Sequence, residues 1–184
     1  MRDSKWKQAI VTLTVAFAIA VGVNWAILWL FGQKSGYRAE HSLVGIILLM
    51  AYASVFMDKK GGSPGPIRFF LIALVPCYLG TVFPDLDITL FGIGGHRNPL
   101  FHSSLSYFLW FVLGRGRGLL LRTGVIGYGV GLASHLEWDA LDHADVRWLP
   151  GGLMDRLWLV SHGLFCFIPP NSRRKNSTAR FSAQ

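Results

Sequence analysis

Six apolar stretches, separated by clusters of charged, glycine and proline residues, organise this chain: about 9–31, 42–57, 67–83, 100–114, 118–137 and 153–169. A helix needs about 20 apolar residues to cross a bilayer core of roughly 30 Å. The first and fifth stretches reach that length. The second and fourth, about 15 residues each, span only if tilted or flanked by snorkelling side chains; otherwise they are re-entrant. Asp58-Lys59-Lys60-Gly61-Gly62-Ser63-Pro64-Gly65-Pro66 is a loop of helix breakers between the second and third. The pattern predicts an all-α, polytopic helical membrane protein with about six transmembrane or re-entrant helices. Residues 1–170 form a single domain, with 1–31 as an extra N-terminal span, and 171–184 form a basic, disordered cytoplasmic tail.

The first stretch has two readings. Arg2, Lys5 and Lys7 resemble the basic start of a signal peptide. The run from Ala9 to Phe31 exceeds the 7–15 apolar residues of such a segment, and small-x-small triplets such as Ala16-Phe17-Ala18 lie inside it. It therefore reads as an uncleaved span.

Composition agrees with a membrane setting. Of 184 residues, 52% are apolar and 15% charged, against about 25% charged in ordinary soluble domains. The net charge of +8 does not make a nucleic-acid face, because the basic residues sit at the ends of apolar runs. Cys77 and Cys166 lie in apolar segments without a CxxC or Cys-His pattern, which argues against a disulfide framework or a thiolate metal site.

With six spans, Arg2, Lys5, Lys7, Lys59, Lys60, Arg68, Arg115, Arg117, Arg122, Arg173, Arg174, Lys175 and Arg180 share one side: thirteen of the 18 Lys and Arg. Lys34, Arg38, Arg97, Arg147 and Arg156 share the other. The positive-inside rule then places both termini in the cytoplasm of a bacterial-type inner membrane. The acidic residues divide the opposite way: only Asp3 and Asp58 are cytoplasmic. Glu40, Asp85, Asp87, Glu137, Asp139, Asp142, Asp145 and Asp155 map to the outer face, as do His41, His96, His102, His135 and His143. Acidic groups have little influence on insertion, so topology does not explain this gathering of metal-capable side chains.

Each segment carries two readings. His135 and Asp139 are one turn apart on a helix face, a spacing that suits two ligands to one ion or a solvated helix end. Asp142 and His143 extend the stripe. In Pro84-Asp85-Leu86-Asp87 the two carboxylates flank one cation, bridge two, or cap a turn. In His96-Arg97-Asn98-Pro99-Leu100-Phe101-His102, Asn98 is the expected N-cap and Pro99 the first turn of the fourth helix, with His102 one turn inside. His96 falls in a loop with Gly92, Gly94 and Gly95. Arg97 either binds a substrate phosphate or anchors the interface. His41, heading the second stretch, is a ligand or an interface residue. Ser161 and His162 read as a polar contact between helices, and Trp138, Trp148 and Trp158 as an aromatic belt.

The order His41-Ser42-Leu43, Pro84-Asp85-Leu86-Asp87, His96-Arg97…His102-Ser103 and Ser134-His135-Leu136-Glu137-Trp138-Asp139, followed by Trp148-Leu149-Pro150, resembles the YdjM-like family of membrane-bound metal-dependent hydrolases. The likeness covers roughly residues 41–150. One segment departs from the pattern: His102 lies six residues after His96, where the family has five. The resemblance implies a centre of His and Asp ligands. On this reading His41, Asp85, Asp87, His96, His102, His135 and Asp139 hold one or two divalent ions, with zinc ahead of manganese or iron. Asp142 or Glu137 would be the general base, and Arg97 would bind the anionic group of a phosphoester or lipid headgroup. The alternative is a non-enzymatic membrane protein with a structural or transport-related His/Asp metal site, alone or as a subunit of a complex.

Overall fold

A computed structural model describes residues 36–57, 65–142 and 144–168, together with Trp29. The expected first span, the 58–64 breakers, His143 and the 171–184 tail lie outside the described residues. Among the described residues the chain is all-α. Its helices are α1 (Gly36–Phe56), α2 (Pro66–Val82), α3 (Leu86–Phe91), α4 (Leu105–Gly114), α5 (Leu119–Asp142) and α6 (Leu153–Cys166), with a 3-10 turn over Ile93–Gly95.

Two prolines act where the sequence puts them. Pro66 opens α2 in its first turn, where a missing N–H costs no helical bond. Pro84 follows Phe83, the residue that closes α2, and the chain turns at once into α3. α5 is apolar around most of its circumference, and such a helix belongs inside a bundle. Two buried clusters meet on it: Val125, Leu132 and Leu136 pack with Tyr107 of α4 and Leu159 of α6, while Ile126 and Val130 pack with Leu49 of α1 and Phe69 of α2. Gly80 and Gly131 let α2 and α5 approach backbone to backbone. A Cβ on Gly80 would strike the Tyr128 carbonyl, and one on Gly131 the Cys77 carbonyl. That approach places the C-terminal end of α2 against the third and fourth turns of α5.

One expectation is met in part and another changes. Among the described residues one helix, Leu119–Leu141, is long and apolar enough to cross a membrane, and 72% of its apolar window is buried inside the bundle. The shorter apolar helices are His41–Ser54, Pro66–Val82 and Leu105–Gly114. The fourth helix also starts at Leu105, not near residue 100. The Asn98 carboxamide oxygen accepts from the Leu100 N–H (3.0 Å), and the Asn98 carbonyl accepts from the Phe101 and His102 N–H groups (3.0 and 2.8 Å). These bonds close a separate tight turn, so His102 stands in a loop ahead of α4.

Candidate metal centre

Five segments bring their chemistry to one place. His41 comes from the second turn of α1, Asp85 and Asp87 from the corner between α2 and α3, His96 from the end of the 3-10 turn, His102 from the turn before α4, and His135 and Asp139 from one face of α5. His41 Nε2 donates to Asp139 Oδ1 at 3.3 Å. His102 Nε2 and His135 Nε2 each lie 3.4 Å from Asp139 Oδ2. His135 Nε2 is also 3.9 Å from Asp85 Oδ1. The His41 and His135 rings are 4.1 Å apart, and His102 stands 5.2 Å from His96 and 5.4 Å from His135.

Two groups of three ligand atoms stand side by side: His41, His135 and Asp139; and Asp85, His96 and His102. Within each, the atoms lie within 4.8 Å of one another. Such buried His/Asp groups can hold a metal ion, and His102, within 3.4 Å of Asp139, joins the two. The extra residue between His96 and His102 therefore does not separate the two rings; the tight turn at Asn98 takes it up.

The hydrogen bonds show what these groups lack. His135 Nδ1 meets the Thr81 carbonyl at 2.7 Å. A carbonyl only accepts, so Nδ1 carries the proton, and in the neutral ring Nε2 is a bare lone pair. That lone pair faces two carboxylates, Asp139 and Asp85. His135 Nε2, both ring nitrogens of His102 and Asp139 Oδ2 are all buried without a hydrogen-bond partner. Leaving buried polar atoms unsatisfied costs about 1–3 kcal/mol each. Lone pairs and anions facing inward repel until a proton or metal cation stands between them. The 3.4 Å spacings also suit coordination: two ligands at about 2.1 Å from a tetrahedral ion lie about 3.4 Å apart. The residues thus fit a divalent ion.

Asp87, also expected as a ligand, stands outside both groups of three. It is fully buried; its Oδ1 accepts from His96 Nδ1 at 3.2 Å and its Oδ2 from the Asn98 N–H at 2.9 Å. His102 Nδ1 faces Oδ2 at 3.3 Å. In this way a carboxylate behind a metal-binding histidine orients the ring and fixes its tautomer, as Asp87 does for His96. Burial pushes the Asp87 carboxyl up, but His102, the Asn98 N–H and His96 outweigh it and hold it below its ordinary range. Burial pushes the His102 imidazole down, and the facing Asp139 and Asp87 carboxylates more than reverse this, raising it above its ordinary value.

Other expected residues stand apart. Glu137 is two residues from His135, about 200° around α5, and its carboxylate lies against Gly163 of α6. It faces away from the centre in which a general base was expected. Arg97 is also engaged elsewhere: its guanidinium pairs with Asp145, and its carbonyl accepts from the Arg147 N–H at 3.1 Å. Its left-handed backbone (φ 59°), uncommon for a residue with a Cβ, forms the bend between His96 and Asn98. Asp142 ends α5, and its side chain is outside the description. His162 Nδ1 accepts from the hydroxyl of Ser104, the residue that caps α4, at 2.7 Å, whereas Ser161 bonds to the Trp158 carbonyl within its own helix.

Sequence reasoning missed three supporting groups. The Thr81 carbonyl fixes His135, the Asn98 N–H holds Asp87, and the Trp158 indole N–H donates to the His102 carbonyl at 2.8 Å. The first two are backbone atoms and carry no residue-type signal. The centre is closed around His102, His135 and Asp139 and opens at Asp85 and His96, whose side chains are 14% and 23% exposed. Compared with protein-family models, curated proteins and solved structures, the chain matches none, so the site is interpreted from its own geometry.

Proposed function

We propose that this chain is a membrane-embedded, metal-dependent hydrolase of the YdjM-like kind, acting on a phosphoester or lipid headgroup at the outer face of the membrane. One observation carries the metal reading: the buried His135 Nε2 lone pair faces the carboxylates of Asp139 and Asp85. His41, His135 and Asp139 would hold one ion, and Asp85, His96 and His102 a second. The mixed His/carboxylate set favours zinc over manganese or iron. A bound divalent ion supplies Lewis acidity, which acidifies water and polarises the attacked group. Asp87 orients His96 and faces His102. The partly exposed edge at Asp85 and His96 would admit water and substrate, and a catalytic site needs such an open position.

The membrane setting is supported by apolar side chains on outward-facing helix surfaces. Ile67, Leu71, Val75 and Leu79 line an exposed strip of α2; Leu109, Val112 and Leu113 do so on α4, and Leu153, Leu157 and Leu164 on α6. Apolar surface on this scale is out of place in water and suits lipid. The close contact at Gly80 and Gly131 follows the small-residue packing of membrane helices.

The decisive assay uses the purified chain in a lipid or polymer scaffold with phosphoester substrates. We expect hydrolysis that EDTA stops, zinc or manganese restores, and His135→Ala abolishes. Hydrolysis indifferent to both EDTA and His135→Ala would refute the reading. The full burial of His41, His135 and Asp139 favours a second reading, a closed structural or transport-related metal site. That reading expects a tightly bound ion with no exchangeable water and no turnover.

A further inference from the structure

The segment from His96 to Ser104 has two sides. On one, His96 and His102 present their rings to the centre. On the other, Leu100 and Ser104 help line an open pocket of about 360 Å³ whose remaining wall is mainly Leu105, Phe108, Trp158 and Phe165. His102 belongs to both sides: its ring stands among the ligands, and its carbonyl is held by the Trp158 indole at 2.8 Å. Leu100 is four residues from His96, so their Cα atoms are at most about 14 Å apart.

Most of the pocket's polar atoms are already paired. The Ser104 hydroxyl and N–H both donate to His162 Nδ1 (2.7 and 3.2 Å), and the indole N–H is spent on His102. An incoming molecule therefore meets mostly hydrocarbon and aromatic faces. The mouth continues into exposed apolar surface, with Leu100, Leu105 and Phe108 each about half exposed or more. A volume of about 360 Å³ is at the small end for ligand sites, roughly 300–1,000 Å³, which suits one chain and not two.

We propose that this pocket takes the single hydrocarbon chain of an amphiphile whose anionic phosphate head reaches the His/Asp centre at its Asp85–His96 edge. The substrate class is then an alkyl- or acyl-chain phosphoester, and not free phosphate or a small soluble ester. The inference rests on the metal-centre reading above. Chain and head occupy opposite sides of one short segment, so the turn at Asn98 sets the distance between them.

Ethyl phosphate and octyl phosphate serve as probes, titrated against the full chain in a polymer scaffold, with manganese and with EDTA. Octyl phosphate is expected to bind at least tenfold tighter than ethyl phosphate, since each buried methylene is worth about fourfold. Leu100→Trp or Leu105→Trp, which fill the pocket, should bring that ratio close to one without changing ethyl phosphate binding. A ratio that survives both substitutions, or that equals one in the unsubstituted chain, overturns the proposal; the latter result would indicate a free-phosphate site. Octyl phosphate carrying a terminal diazirine gives a reading independent of variant folding. We expect crosslinks at Leu105, Phe108 or Phe165, and equal labelling of Leu71 and Val75 on the exposed face of α2 would overturn the assignment. EDTA should weaken both phosphates alike. Loss of the EDTA effect alone overturns the metal reading, and loss of the chain-length effect alone overturns this one.

Discussion

His135 donates its Nδ1 proton to the Thr81 carbonyl at 2.7 Å, and this bond determines which edge of the ring meets the cluster. Thr81 is in the last turn of α2 and His135 in α5, so the tautomer depends on how closely the two helices pack. In the metal-loaded protein His135 is expected to carry its proton on Nδ1, with Nε2 shifted by coordination. Long-range ¹⁵N–¹H correlation of labelled histidines measures this directly. A proton on Nε2 in the loaded protein would contradict the assignment.

The same packing makes the α2–α5 glycines sensitive. A Cβ at Gly131 meets the Cys77 backbone, which cannot rotate out of the way as a side chain can. Gly131→Ala should destabilise the protein by about 1–3 kcal/mol and weaken metal binding by displacing Thr81 from His135. Gly94→Ala is the control, because a Cβ there meets nothing within 4 Å. Thermal unfolding with and without metal checks both; equal stability of the two variants would count against the packing argument.

Asp87 and Asp139 should fail differently. Asp87 contacts histidines and a backbone N–H, so Asp87→Asn should weaken metal affinity by about 10–100-fold while leaving the ion bindable. Asp139 faces His41, His102 and His135 together, and Asp139→Ala should remove the ion held with His41 and His135. Competition titration with a chromophoric chelator separates the two outcomes. Identical losses in both variants would contradict the division of roles.

Protonation predicts that metal reverses the pH dependence of stability. The His102 imidazole is raised above 6.5 in the fold, so without metal its contribution is fully present below 6.5 and lost as pH rises through the raised value. The Asp87 carboxyl is lowered below 3.8, so its contribution is present above 3.8 and lost as pH falls through the lowered value. These two groups together favour the metal-free fold most in mildly acidic solution. Metal needs deprotonated ligands, so its stabilisation should grow as pH rises. Unfolding temperatures with EDTA and with zinc between pH 5.5 and 8 should diverge; parallel curves would contradict this.

The sequence carried the helical fold and the residue set, because both depend on residue type and spacing. The apolar stretches at 42–57, 67–83, 118–137 and 153–169 reappear as α1, α2, α5 and α6 within a few residues at most ends. The α1 start lies earlier, at Gly36. His135 and Asp139 share a helix face as their spacing implies. The start of α4 was not legible, because Asn98 caps a local turn with the same chemistry it would use to cap a helix. Nor was the orientation of Glu137. It sits beside His135 in sequence but on the other side of α5, where Gly163 leaves room for it. Arg97 could not be assigned either, since its partner Asp145 is 48 residues away and no periodicity connects them.

The central claim is that buried histidines and aspartates from five segments form a divalent-metal centre. Elemental analysis of the purified chain, after exchange into zinc or manganese and removal of loose ions, tests it most directly. The account expects one or two ions per chain, and one fewer in Asp139→Ala. A metal-free protein, or equal metal content in the wild type and Asp139→Ala, would contradict it.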